Sequence, residues 1–149
     1  MYRHILIPTE GSRLSQRSAE AGVRLAKALG ARVTAFFAAP PATPIIYKAM
    51  LPVGYATPEE HEQLTRKAAQ AYLGAVEKAA RAAGVPCETL SVTSDFPAEA
   101  ILAAAKKRRC DLIFMASHGR RGLRRSSLLG SETQKVLSAS PLPVLVYRP

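Results

Sequence analysis

Two kinds of hydrophobic pattern alternate along the chain. Ile5-Leu6-Ile7, inside Tyr2 to Pro8, is a short apolar run without polar alternation, as expected of a strand covered on both faces. From Ser12 the apolar and small positions change spacing to three or four: Leu14, Ser18, Ala21, Leu25, Ala28 and Leu29, closed by Gly30. That spacing predicts an amphipathic helix with a glycine stop. A second strand is predicted from Arg32 to Ala38, followed by a proline-rich loop from Ala39 to Ala56 where helical periodicity cannot persist.

Thr57-Pro58-Glu59-Glu60 carries an N-cap, a proline at the first helical position and a glutamate at the third, the reciprocal capping arrangement. The helix it opens shows a stripe of Leu64, Ala68, Tyr72, Ala75, Ala79 and Ala82 and ends at Gly84. Cys87 to Val92 reads as a third strand, and Asp95-Phe96-Pro97 opens a helix with Ile101, Ala104 and Ala105 facing inward. Asp111 to Ala116 reads as a fourth strand, Ser131 to Ser138 as a short helix and Pro143 to Tyr147 as a fifth strand. Strict strand–helix alternation implies right-handed crossovers, a parallel sheet and helices on both faces. Ligands bind such sheets beyond the carboxyl ends of the strands, where the strand order reverses. Two loops should meet there, Thr9-Glu10-Gly11-Ser12 and Ser117 to Gly130.

Composition bounds this picture without changing it. The 149 residues, 48% hydrophobic and 21% charged, suit one domain over residues 1–149. Cys87 and Cys110 lie in apolar segments without partners at metal spacing, which predicts buried free thiols. No run reaches a membrane span, and Met1-Tyr2-Arg3-His4 leads straight into a strand, so a cytoplasmic protein without a membrane association is expected.

Charge does change the picture. The chain carries a net +10, and between Ile101 and Gly130 eight basic residues stand against Asp111 alone, a net +7. Lys106 to Arg109 close a helix, where positive charge complements the dipole. Arg120, Arg121, Arg124 and Arg125 fall in the loop after the fourth strand. There Gly119 and Gly122 permit close backbone approach and positive φ, and Gly130-Ser131 opens a helix whose free amides point forward. In outline this is an anion site. The five tyrosines are scattered without interleaved basic residues, so nucleic acid is no more than an electrostatic possibility.

Gly119, ten residues, then Gly130-Ser131 resembles the signature loop of the universal stress protein family, whose nucleotide-binding branch reads G-x-x-G, nine residues, then G-S or G-T. Ile5 to Ser12 resembles the family's opening strand and Asp-Gly-Ser turn, Pro97 to Gly119 its third helix and fourth strand, and Gly130 to Tyr147 its final helix and strand. The resemblance implies a Rossmann-like fold of the adenine nucleotide alpha hydrolase type, with a five-stranded parallel sheet in the order 3-2-1-4-5. It implies ATP or a related adenine nucleotide, with adenine near Ala38 and Pro8, and Met115 on the cavity floor. Thr9 and Glu10 would meet nucleotide and magnesium. Ser117, His118, Gly119, Arg120, Gly130, Ser131, Glu132 and Thr133 would surround the phosphates, mainly through backbone amides. It also implies a homodimer paired along the exposed edge of the last strand, Val144 to Tyr147. Three positions depart from the pattern: Ala116 stands for the first glycine, Glu10 for the usual aspartate, and the arginine-rich loop is one residue longer.

Chemistry beyond binding finds little support in the residues. His118 is explained as a loop histidine, and Ser12, Ser117 and Ser131 have no histidine and carboxylate arranged in sequence to form a triad. The chain lacks G-x-x-x-x-G-K-[ST]. The expected function is a stress-response nucleotide-binding and signalling module with slow or no hydrolysis, acting on a protein partner the sequence does not name. The alternatives are a weak ATPase using the same loop and a nucleotide-free dimeric scaffold, which the Ala116 and loop-length departures favour.

Overall fold

The computed structural model describes residues 1–42, 57–119 and 129–149. Within them the elements run β1 (His4–Pro8), α1 (Arg13–Leu29), β2 (Arg32–Ala39), α2 (Pro58–Ala83), β3 (Cys87–Thr93), α3 (Pro97–Lys107), β4 (Leu112–Ala116), α4 (Ser131–Ala139) and β5 (Val144–Tyr147). All pairings are parallel, and the order is β3-β2-β1-β4-β5. The expected order 3-2-1-4-5 is therefore observed, and it reverses between β1 and β4. No described helix is long and apolar enough to cross a membrane.

Side chains leave the sheet alternately, so the apolar runs feed two cores. Ile5, Ile7, Val33, Phe37, Leu112 and Phe114 pack under α1 and α2. Leu6, Phe36, Ile113 and Met115 pack under α3 and α4. Each such large apolar side chain, fully hidden, contributes roughly 1.5–3 kcal/mol. Helix α1 lies close to the sheet because Gly22 faces it: a Cβ there would sit 2.7 Å from Ile7 Cδ1 and 3.1 Å from Phe114 Cδ1.

The helix faces differ from the expected stripes. In α1 the buried line is Ser15, Ser18, Ala19, Gly22, Val23 and Ala26, which shares Ser18 with the predicted one. In α2 it is Leu73, Val76 and Ala80, while Leu64 is 60% exposed and Ala75 and Ala82 are exposed. Alanine on every side of a helix carries little orienting hydrophobicity, and the few larger side chains decide the face. Cys87 is also only half-buried, because β3 is an edge strand; Cys110 is buried as expected.

The cap signals fare better. Thr57 Oγ1 accepts from Glu60 N at 3.1 Å and Glu60 Oε2 accepts from Thr57 N at 3.0 Å. Gly30 and Gly84 close their helices in the left-handed conformation. One turn into α2, His61 Nε2 lies 2.8 Å from the Pro40 carbonyl oxygen. That contact brings the beginning of α2 back to the end of β2. The predicted loop from Ala39 to Ala56 falls largely on residues 43–56, outside the described residues.

Candidate functional site

Beyond the carboxyl ends of β1, β2 and β4 lies a cavity of about 520 Å³, a size that suits a small-molecule ligand. Its walls come from the ends of three strands, the turn after β1 and the first turns of α1, α3 and α4. Of the candidate residues, Pro8, Thr9, Glu10, Ala38, Met115, His118, Gly119, Gly130, Ser131, Glu132 and Thr133 all line it. Ser117 does not. It is buried, its amide donates to Tyr147 O and its carbonyl accepts from Gly130 N, both at 2.8 Å. Ser117 thus ties the end of β4 to β5 and to the start of α4. Arg120, with Gly122 and the other loop arginines, lies outside the described residues.

The turn after β1 is built by its own side chains. Thr9 N donates to Phe36 O at 2.8 Å, which holds the turn against β2. Glu10 Oε1 accepts from Ser12 N at 3.2 Å and from the Ser12 hydroxyl. Gly11 has a φ of +85°, and the Tyr72 ring of α2 fills the space a side chain would need. Tyr72 is itself held edge-on against Phe37.

Neither Gly119 nor Gly130 adopts the positive φ that glycine permits, and only Gly130 is required by space. At Gly130 a Cβ would come within 3.0 Å of His118 Cα and Cβ. At Gly119 it would make ordinary contact with the Glu10 carboxylate, 3.6 Å away. The close approach at Gly130 lets α4 begin directly beside His118. Ala116, standing where the family pattern has glycine, is the last residue of β4 and contributes to the wall. Its carbonyl accepts from Thr133 Oγ1 at 3.0 Å, which anchors the first turn of α4.

The helix starts at this end of the sheet are treated differently. Ser12 caps α1, accepting from Ser15 N at 3.1 Å. At α3, Phe96 offers no side-chain cap, and Glu132 Oε2 of α4 accepts from Ala98 N at 2.9 Å instead. Helix α4 starts at Gly130 with no side-chain cap. Its first-turn amides have no intrahelical acceptor and carry the positive end of the helix dipole. Since Gly130 to Thr133 line the cavity, this uncapped turn faces the cavity.

Sequence reasoning missed the contribution of the β3–α3 connection: Asp95, Pro97 and Ile101 line the cavity, as do Phe36 and Ser15. The signal was the topology itself, since every strand-to-helix connection of a parallel sheet emerges at this end. Three connections converge, where two were expected. The described lining carries three carboxylates, Glu10, Asp95 and Glu132, and one basic side chain, His118.

The profile of the universal stress protein family matches residues 1–148. The chain belongs to that family. A universal stress protein from Thermus aquaticus is 35% identical over 148 residues, covering 99% of this chain and all of the relative. Among solved structures, a universal stress protein in complex with cAMP superposes with a TM-score of 0.71 at 23% identity, covering 98% of this chain and 97% of the other. The universal stress protein from Archaeoglobus fulgidus in complex with dAMP gives 0.67 at 17% identity, with 97% of each chain covered. The universal stress protein fold is thus matched along almost the whole chain.

Proposed function

We propose that this universal stress protein binds an adenine nucleotide in the cavity, with phosphate on the amides of Ser131 to Thr133 and the base toward Pro8 and Ala38. The observation that carries this reading is the α4 start: a helix with no side-chain cap, opening into a cavity of ligand size. Such a terminus is a ready anion site. The cAMP and dAMP complexes of two family members with the same fold support adenine nucleotides as the ligand class. Among the described residues no three His, Cys, Asp or Glu side chains gather to hold a metal. In this reading a magnesium ion would arrive with the nucleotide, and Glu10, which borders Gly119, would be its protein contact.

The protein acts in this reading as a binding and signalling module with slow or no hydrolysis, whose occupancy changes the surface offered to a partner. A second copy would cover β5, an edge strand whose Leu145 is 39% exposed, with Leu137 of α4 40% exposed. Edge strands of this kind require covering. A monomeric mass across a wide concentration range would remove the dimer.

Calorimetric titration of ATP with magnesium tests the site, using the parent protein and a Gly130→Ala, Ser131→Ala double variant whose melting temperature is checked first. Binding by the parent, weakened about tenfold or more in a folded variant, is expected for a ligand on the α4 amides. Absence of heat and of thermal stabilisation in the parent would leave the nucleotide-free scaffold as the better reading.

A further inference from the structure

Two helix starts line this cavity without a cap from their own N-cap residue, and they are not equivalent. At α3, Phe96 has no capping side chain and Pro97 has no N–H, so Ala98 N is the first amide that needs an acceptor. Glu132 Oε2 supplies it across the gap from α4 at 2.9 Å. The other oxygen, Oε1, meets Lys135 Nζ at 3.2 Å, but the Lys135 side chain is 65% exposed, and water screens so open a pair. The Glu132 carboxylate is therefore a fixed negative charge on the cavity wall, occupying the anion position that α3 would otherwise offer.

We infer that Glu132 is a charge-selecting residue of the cavity: it fills the anion position of α3 with an internal carboxylate, leaves α4 to receive phosphate, and lowers the affinity of polyphosphates relative to ligands with a single phosphate group. The inference rests on the nucleotide reading of the same cavity. The first phosphate meets uncapped amides on α4. Every further negative charge enters a space where the Glu132 carboxylate already stands on the wall. Repulsion between fixed charges in a partly enclosed site is stronger than in bulk water and grows with each added ligand charge. The bridge to Ala98 also sets the spacing of the α3 and α4 starts, so charge and position are joined in one side chain.

The test uses Glu132→Gln, which removes the charge and keeps an oxygen for Ala98 N, beside Glu132→Ala, which removes both. AMP and ATP are titrated without divalent cation at one fixed ionic strength, and melting temperatures are recorded. In Glu132→Gln the ratio of ATP to AMP affinity is expected to rise about fivefold, and to fall back toward the parent ratio as salt is added. In Glu132→Ala the ratio rises at least as far and the melting temperature drops by a few degrees. A ratio unchanged or lowered in Glu132→Gln, with the parent binding AMP, would show Glu132 to be only a strut between helices and overturns the inference alone. A parent protein that binds neither nucleotide overturns the nucleotide reading, and this inference with it.

Discussion

The two ends of the sheet meet the same physical problem and solve it differently. At the amino end, Asp111 accepts from the amides of Arg3 and His4 at 2.9 and 3.0 Å, and His4 Nε2 lies 2.6 Å from Thr34 Oγ1. Thr34 in turn donates to Glu88 Oε1 at 2.8 Å, and Glu88 meets Arg108 at 3.5 Å. Polar groups there are tied to one another across β1, β2, β3 and the end of α3. At the carboxyl end, α1 and α3 are capped by Ser12 and Glu132, while α4 starts at Gly130 without a side-chain cap. The uncapped start of α4 stands out against its capped neighbours, and under the proposed function that contrast would separate residues that stabilise from residues that bind.

That contrast predicts which measurement each substitution moves. The largest effect is expected at Gly11→Ala, which puts a methyl at a φ of +85° into the space of the Tyr72 ring. A cost of about 3 kcal/mol combines backbone strain and overpacking. Urea unfolding would show it, and Tyr72→Ala in the same chain should return part of the loss. Next, Asp111→Ala should cost about 1 kcal/mol, since the part-buried His4 amide loses its acceptor while the exposed Arg3 amide turns to water, with nucleotide affinity unchanged; a matching loss of affinity would break the separation between the ends.

A smaller effect is readable through pH. Burial lowers the His4 pKa, the nearby Arg32 charge lowers it further, and Glu88, Asp111 and the Arg108 carbonyl oppose both. A histidine with a lowered folded value binds protons more weakly than in the unfolded chain. Its contribution is complete above the ordinary value of about 6.5 and is lost as pH falls from there toward the folded value. Unfolding free energies measured from pH 8 to 5 should decline, and His4→Gln should flatten the decline. Asp111 acts lower: its burial would raise its pKa, but the His4 and Arg3 amides outweigh this and lower it. Its contribution is present above about 4 and disappears as pH falls through the lowered value. The smallest expected difference is in thiol chemistry. Burial pushes Cys110 up to about 11 and also raises Cys87, but Cys87 is only half-buried, so iodoacetamide should label Cys87 first, as mass spectrometry would read.

The carboxyl end was the more legible of the two in sequence. Gly130-Ser131, the turn at Thr9 to Ser12 and the strand runs carry local signals, and glycines, caps and β-branched runs report on neighbouring residues. What stayed hidden depends on contacts distant in the chain. Glu132 is expected beside the phosphates from the family resemblance, but nothing near it in sequence announces Ala98, 34 residues away. Asp111 likewise reads as the start of a strand, while its carboxylate serves backbone amides more than 100 residues earlier. The faces of α1 and α2 were misjudged for a related reason: with small residues all around a helix, the partner surface decides which side is buried. Gly22 shows this most directly, since it faces Ile7 and Phe114.

The contact between His61 and Pro40 also bears on how freely this chain can change in length. Because the end of β2 and the start of α2 are held together at that point, the distance any connection between them must bridge is fixed by the two elements themselves. Closing a loop of twice the length costs only about 0.6 kcal/mol more in chain entropy, so a change in the number of residues between β2 and α2 is expected to cost folding little.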